Sequence, residues 1–112
     1  MLMDLVAEKY RALLQQIPRN RYRRQDVYDL DVLLPKILAD EISPADILEA
    51  LLDKCSARLL EPDRRSLENK EIKNRARRDW NTMELELDDL PLFEDCYERV
   101  ATFYRTLPWD GA

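Results

Sequence analysis

At 112 residues, 46% of them apolar and 37% charged, the chain has enough material for one hydrophobic core but is short for an enzyme that must also close a substrate pocket. Its single glycine, Gly111, excludes the glycine-rich loops that bring backbone amides against phosphate, and with them P-loop and dinucleotide-fold readings; a chain so poor in glycine is suited to helices. A formal net charge of -5 argues against broad non-specific DNA binding, which draws its affinity from a basic surface.

The first predicted element covers residues 2 to 17, where Leu2, Leu5, Val6, Tyr10, Leu13, Leu14 and Ile17 recur at helical intervals and Pro18 is expected to stop the pattern. Residues 18 to 24 read as a polar, basic connector. Asp26 is then placed to cap a second helix, whose stripe is Val27, Leu30, Leu33, Leu34, Ile37 and Leu38, with a kink expected at Pro35. Ser43-Pro44-Ala45-Asp46 spells a helix start with serine as N-cap and proline at the first helical position. Ile47, Leu48, Leu51, Leu52, Cys55 and Leu59 supply that helix's buried face, and Glu61-Pro62 closes it.

Residues 63 to 83 predict a highly charged helix with a narrow stripe of Leu67, Ile72, Ala76, Trp80 and Met83. An acidic connector from Leu85 to Pro91 leads into a last helix marked by Leu92, Cys96, Val100, Phe103, Tyr104 and Leu107, and ended by Pro108. The expected fold is all-α, a compact bundle of four to five helices with short loops, forming one domain over residues 1 to 112.

Charge divides unevenly along the chain. Residues 1 to 78 carry 16 Lys and Arg against 14 Asp and Glu, whereas residues 79 to 112 carry 2 against 9. Cys55 and Cys96 lack metal-type spacing and the chain has no histidine, so two buried thiols and no metal site are expected. No apolar run approaches the roughly 18 residues of a membrane span and the start does not read as a secretory signal, so the expected compartment is the cytoplasm and no membrane partner is expected.

Three groups of side chains carry candidate chemistry. Lys9 falls on the margin of the first helix's apolar stripe, a position suited either to a lysine whose stem packs while its head reaches water or to a phosphate ligand. Asp26 and Asp29 are spaced i, i+3, neighbours on a helix that can share a cation or a proton, or else a cap and a solvated flank residue. Arg19, Arg21, Arg23 and Arg24 suit phosphate groups, with Tyr22 placed to stack on a base; the alternative is a solvated connector that pairs with the acidic tail. The cations from Arg64 to Arg78 are interleaved with acids and read mainly as a salt-bridged exposed face.

Ala7-Glu8-Lys9-Tyr10-Arg11-Ala12-Leu13-Leu14 followed by Arg24-Gln25-Asp26-Val27-Tyr28-Asp29-Leu30 resembles the second half of the AbiEii/AbiGii-type nucleotidyltransferases, toxins of bacterial type IV toxin-antitoxin and phage-defence systems. The resemblance covers residues 5 to 34, and the later helices are compatible with that family's helical C-terminal region. It implies that Lys9 contacts nucleotide phosphates, that Asp26 is the aspartate of the second motif and that Asp29 is its companion. Gln25 stands where the family often has a second charged residue, and Asp31 replaces an aromatic that usually follows, which bears on packing at that turn.

The family's upstream Gly-Ser and Asp-x-Asp motifs are absent from these 112 residues. Asp29-Leu30-Asp31 spells the second, but on a helix its two carboxylates point about 200° apart. The resemblance therefore implies a helical C-terminal domain that contributes Lys9 and Asp26 to transfer of a nucleotide onto an RNA or protein acceptor and is inactive alone. Mg²⁺ and a nucleoside triphosphate would bind only with a completing N-terminal half; that half or a cognate antitoxin is the implied partner, and tRNA a possible acceptor. The rival expectation is a non-enzymatic helical interaction module of adaptor or antitoxin-like type, and a third is RNA binding through Arg19 to Arg24.

Overall fold

The apolar stripes fold into helices in the computed structural model, which describes residues 1–110. Five helices have eight residues or more: α1 (Leu2–Leu14), α3 (Arg24–Ala39), α4 (Pro44–Ser56), α5 (Lys70–Arg77) and α6 (Phe93–Thr106). Between the first two lies the single turn α2 (Gln16–Arg19), and 3-10 turns at Ser66–Glu68 and Trp80–Leu85 flank α5. No strand occurs among the described residues, so the all-α expectation holds.

The first helix organises the rest. It packs most extensively on α4 and next on α3, and α3 packs in turn on α6. Val6, Tyr10 and Leu13 of α1, Leu30 of α3, Ile47 and Leu51 of α4, and Val100 and Tyr104 of α6 are fully buried in one continuous core. The phenol of Tyr10 donates to the Val100 carbonyl at 2.8 Å, and its ring lies 5.6 Å from that of Tyr104 and 6.5 Å from that of Phe103. A residue 90 positions away in sequence thus satisfies the hydroxyl that burial would otherwise strand.

Several expected boundaries move. Pro18 does not stop the first helix: the break falls at Gln15, and Pro18 sits third in α2, in a first turn where its missing N–H costs no helical bond. Asp26 is not the N-cap of α3, a position that Arg23 takes, but the third residue of its first turn. At Pro35, where a kink rather than an end was expected, α3 lacks one rung of its ladder and continues to Ala39. Residues 63 to 83 form three pieces because the Asn69 side chain accepts from the amides of Glu71 (2.9 Å) and Ile72 (3.0 Å), starting α5 afresh, while Asp79 ends that stretch at φ 59°.

The stripe from Leu67 to Met83 is buried as expected, yet Leu5, Ile17, Leu38, Leu52, Leu59 and Leu92 from the predicted apolar faces are exposed. A periodic stripe is wider than the arc one neighbouring helix covers, and its outer residues stay in water.

A chain this poor in glycine makes its left-handed turns with other residues: Asn20, Glu41, Leu59 and Asp79 all have φ between 52° and 59°. Leu59 is the costly one, because its Cβ crowds the backbone there and its side chain, 93% exposed, gains nothing from packing. Leu59→Gly should raise the free energy of unfolding by about 1 kcal/mol, a shift that chemical denaturation reads directly.

Candidate functional site

Lys9 projects from α1 toward the first turns of α3. Its Nζ donates to Asp26 Oδ1 at 3.1 Å and to Asp29 Oδ2 at 2.8 Å, so one ammonium bridges two carboxylates that the helical repeat had placed on one face. The side chains of Lys9, Asp26 and Asp29 are 21%, 14% and 28% exposed, half-buried enough for the charges to interact strongly and open enough for a ligand to reach them. Burial by itself lowers the Lys9 pKa, but the hydrogen bonds and charges of Asp29 and Asp26 together outweigh it and hold the ammonium above its ordinary value. The pair also keeps an amide partner, since Gln25 donates to Asp29 Oδ1 at 2.9 Å from the position where a charge was expected.

The basic connector lies beside this cluster. Arg23 reaches toward Asp26, with Nε 3.9 Å from Oδ2, whereas Arg19 and Arg21 are exposed and Arg24 is half-buried. The Nε atoms of Arg23 and Arg24 are buried without a hydrogen-bond partner. Of the four arginines, Arg23 is the one the structure pairs with the Lys9 cluster; Arg19 and Arg21 are exposed on the connector, and Arg24 opens α3.

Gln16 fixes where the connector runs, and nothing in the sequence pattern singles it out. Its side chain is fully buried, donates to the Leu13 carbonyl (3.2 Å) and the Ile72 carbonyl (3.0 Å), and accepts from the Arg23 amide (2.9 Å). One amide thereby ties the end of α1 and the first turn of α5 to the N-cap of α3, and sets the start from which Asp26 and Asp29 are counted. Arg75 of α5 assists: it donates to Asn20 Oδ1 at 3.1 Å and to the Arg21 carbonyl at 3.2 Å, and its guanidinium carbon lies 5.1 Å from the Tyr22 ring centre. Arg78 covers the same ring at 4.4 Å. Tyr22, a candidate for stacking on a base, stacks here on two arginines, while most other cations of that region pair with acids as expected, among them Lys73 and Arg77 with Glu94.

Asp31 points away from Asp29, as the i, i+2 spacing requires. It receives Arg99 of α6 through Nε at 2.6 Å and Nη2 at 2.8 Å, and the thiol of Cys96 at 3.2 Å. This pairing fills the turn where an aromatic residue was missing. The Arg99 hydrogen bond, which outweighs burial, holds the Asp31 carboxyl below its ordinary value of 3.8. A depressed carboxylate adds stability above the unfolded value and loses it as pH falls through the folded one. Asp31→Asn should therefore flatten the stability–pH curve below pH 3.8 relative to the native chain, as acid titration of the unfolding midpoint will show. Cys96 is buried and its thiol is pushed up to about 12, first by burial and then by Asp31; Cys55, also buried and free, is pushed up to about 11 by burial. Both are the buried thiols that were expected.

Asp26 and Asp29 do not fit a divalent metal as they stand, because the Lys9 ammonium occupies the space between them, and no group of three or more potential ligands gathers elsewhere among the described residues. No helix among these residues is long and apolar enough to cross a membrane. Comparison with known proteins returns one family: the model described as nucleotidyl transferase AbiEii toxin, type IV TA system, matches residues 2–99. No curated protein and no solved structure matches the chain.

Proposed function

The chain belongs to the nucleotidyl transferase AbiEii toxin family of type IV toxin-antitoxin systems, and from that premise we propose that it is the helical C-terminal part of such a toxin, supplying the phosphate side of a nucleotide-transfer site. The observation that carries this reading is the Lys9 ammonium bridging Asp26 and Asp29, two motif positions 17 and 20 residues away. A lysine held charged at the edge of a half-buried cluster offers a compact positive group to a phosphate oxygen, and its two carboxylates fix where that group points. Asp26, the better shielded, orients Lys9; Asp29, nearer the surface, is placed to accept a proton from an acceptor hydroxyl. Arg19, Arg21, Arg23 and Arg24 supply the surrounding positive field for a triphosphate or an RNA backbone.

Two tasks fall outside these residues. With no glycine before Gly111 there is no Gly-Ser grip for the triphosphate, and Asp29 and Asp31 face different helices. In this reading a completing N-terminal half brings both the triphosphate grip and the Mg²⁺ ligands, the acceptor is RNA or protein, and this chain is inactive alone. Incubating the purified chain with Mg²⁺, labelled nucleoside triphosphates and tRNA tests it: we expect no label transfer by the chain alone and transfer once a polypeptide bearing the Gly-Ser and Asp-x-Asp motifs is added. Efficient transfer by these 112 residues unaided would overturn it. The antitoxin of the same system is the other partner the family implies. A second reading, a non-enzymatic interaction module, draws on the exposed Leu85 and Leu92 that flank the acidic connector; it predicts that Lys9→Ala leaves every partner interaction unchanged.

A further inference from the structure

The surface around Tyr22 and the connector that follows α5 carry opposite charge and lie side by side. On the first, the local ion pairs of Arg23 with Asp26, Arg75 with Glu71 and Arg78 with Asp79 leave Arg19 and Arg21 without one among the described residues. Tyr22 and Ile17, 41% and 36% exposed, provide apolar area among these cations. On the second, residues 84 to 95 contain six carboxylates and no cation, and among the described residues only Glu94 of these is paired, with Lys73 and Arg77. Leu85 and Leu92 project from this acidic stretch, 89% and 72% exposed.

Adjacency is fixed at both ends. Arg78, which covers Tyr22, is separated from the Trp80–Leu85 turn by Asp79 alone, and Trp80 Nε1 donates to the Pro91 carbonyl at 3.0 Å, so the acidic stretch leaves and returns beside the end of α5.

Neighbouring patches of opposite sign are self-complementary about a two-fold axis: the acidic stretch of one copy meets the arginine patch of the other, and symmetry repeats the contact. Exposed leucines on one patch and an exposed tyrosine on the other give each contact an apolar centre inside a charged rim, the usual anatomy of a specific interface. We propose that the chain forms a two-fold symmetric homodimer in which Glu84, Leu85 and Glu86 of each copy cover Tyr22, Arg19 and Arg78 of its partner. The contact takes up Arg19 alone of the four connector arginines and leaves Lys9 and Arg23 outside it, so that phosphate and the partner copy compete only at Arg19; it does not depend on nucleotide transfer, and its test contains no nucleotide.

Sedimentation of the full chain reads the outcome. At about 50 mM salt the mass should be twice 13.4 kDa, falling to the monomer value near 500 mM as screening weakens the charged rim. The double variants Arg19→Glu with Arg78→Glu, and Glu84→Lys with Glu86→Lys, alter exposed side chains and should each be monomeric while keeping the native circular dichroism. An equimolar mixture of the two should regain the dimer mass, because both contacts of the mixed pair again join opposite charges. A native chain that stays monomeric at low salt up to about 1 mM overturns the proposal. So does a dimer that survives both charge reversals, and so does a monomer whose arginine patch instead binds single-stranded RNA.

Discussion

Lys9→Ala should lower nucleotide transfer by about 100-fold or more in the assay completed with an N-terminal half, the order of loss when one preorganised charge-stabilising group is removed. The substitution also leaves Asp26 and Asp29 facing each other at a site where both are mostly shielded from water. Their repulsion should destabilise the fold by about 1–2 kcal/mol, between the values for exposed and for buried pairs. The two effects separate cleanly, since thermal unfolding reads the second with no nucleotide present. Because the folded state raises the Lys9 pKa above 10.5, its stabilising contribution is fully present below that pH and is lost only as pH climbs through the folded value. The stability difference between native chain and variant should accordingly be constant from about pH 6 to 9 and shrink only in strong base. A folded Lys9→Ala chain that supports undiminished transfer would remove Lys9 from the site.

The largest effect on stability is expected at Tyr10. Truncation to alanine opens a cavity at the meeting point of α1 and α6, removes two ring contacts and strips the Val100 carbonyl of its phenol donor. Core truncations of this size cost about 3–5 kcal/mol, a large share of the roughly 5–15 kcal/mol that holds a domain together. Tyr10→Phe keeps the ring and loses only the hydrogen bond, so it should cost about 1 kcal/mol. Denaturant titration of both variants separates packing from hydroxyl; a Tyr10→Ala midpoint close to that of Tyr10→Phe would mean that the ring contributes little. Tyr10 is adjacent to Lys9 in sequence and lies about 100° around α1 from it, so loss of packing there and loss of charge at Lys9 report on the core and on the margin of one helix.

Much of the fold was legible because it is local. Helical spacing alone marks the buried positions Val6, Tyr10, Leu13, Val27, Leu30, Ile47, Leu51, Val100 and Tyr104, and prolines and polar connectors mark most of the gaps. Boundaries went astray where a side chain acts on the backbone: Asn69 restarts a helix that periodicity alone would continue, and Gln16 is drawn inward to bonds that no spacing rule anticipates. The outer margins of the stripes, such as Leu5 and Leu38, were over-assigned because periodicity gives the direction of a face and not the width of the element that covers it.

What the sequence determined by itself is the angular arrangement on each helix: Lys9 at the edge of α1's apolar stripe, Asp26 beside Asp29 on α3, and Asp31 turned away from both. A period of 3.6 residues sets these directions whatever the rest of the chain does. Tertiary structure alone decided that the edges of α1 and α3 face each other within hydrogen-bonding distance, that Asp31 meets Arg99 across 68 positions, and that Tyr22 lies beneath Arg75 and Arg78. Those meetings depend on how helices pack once their apolar faces are buried together, and packing is settled by the fit of side chains far apart in sequence.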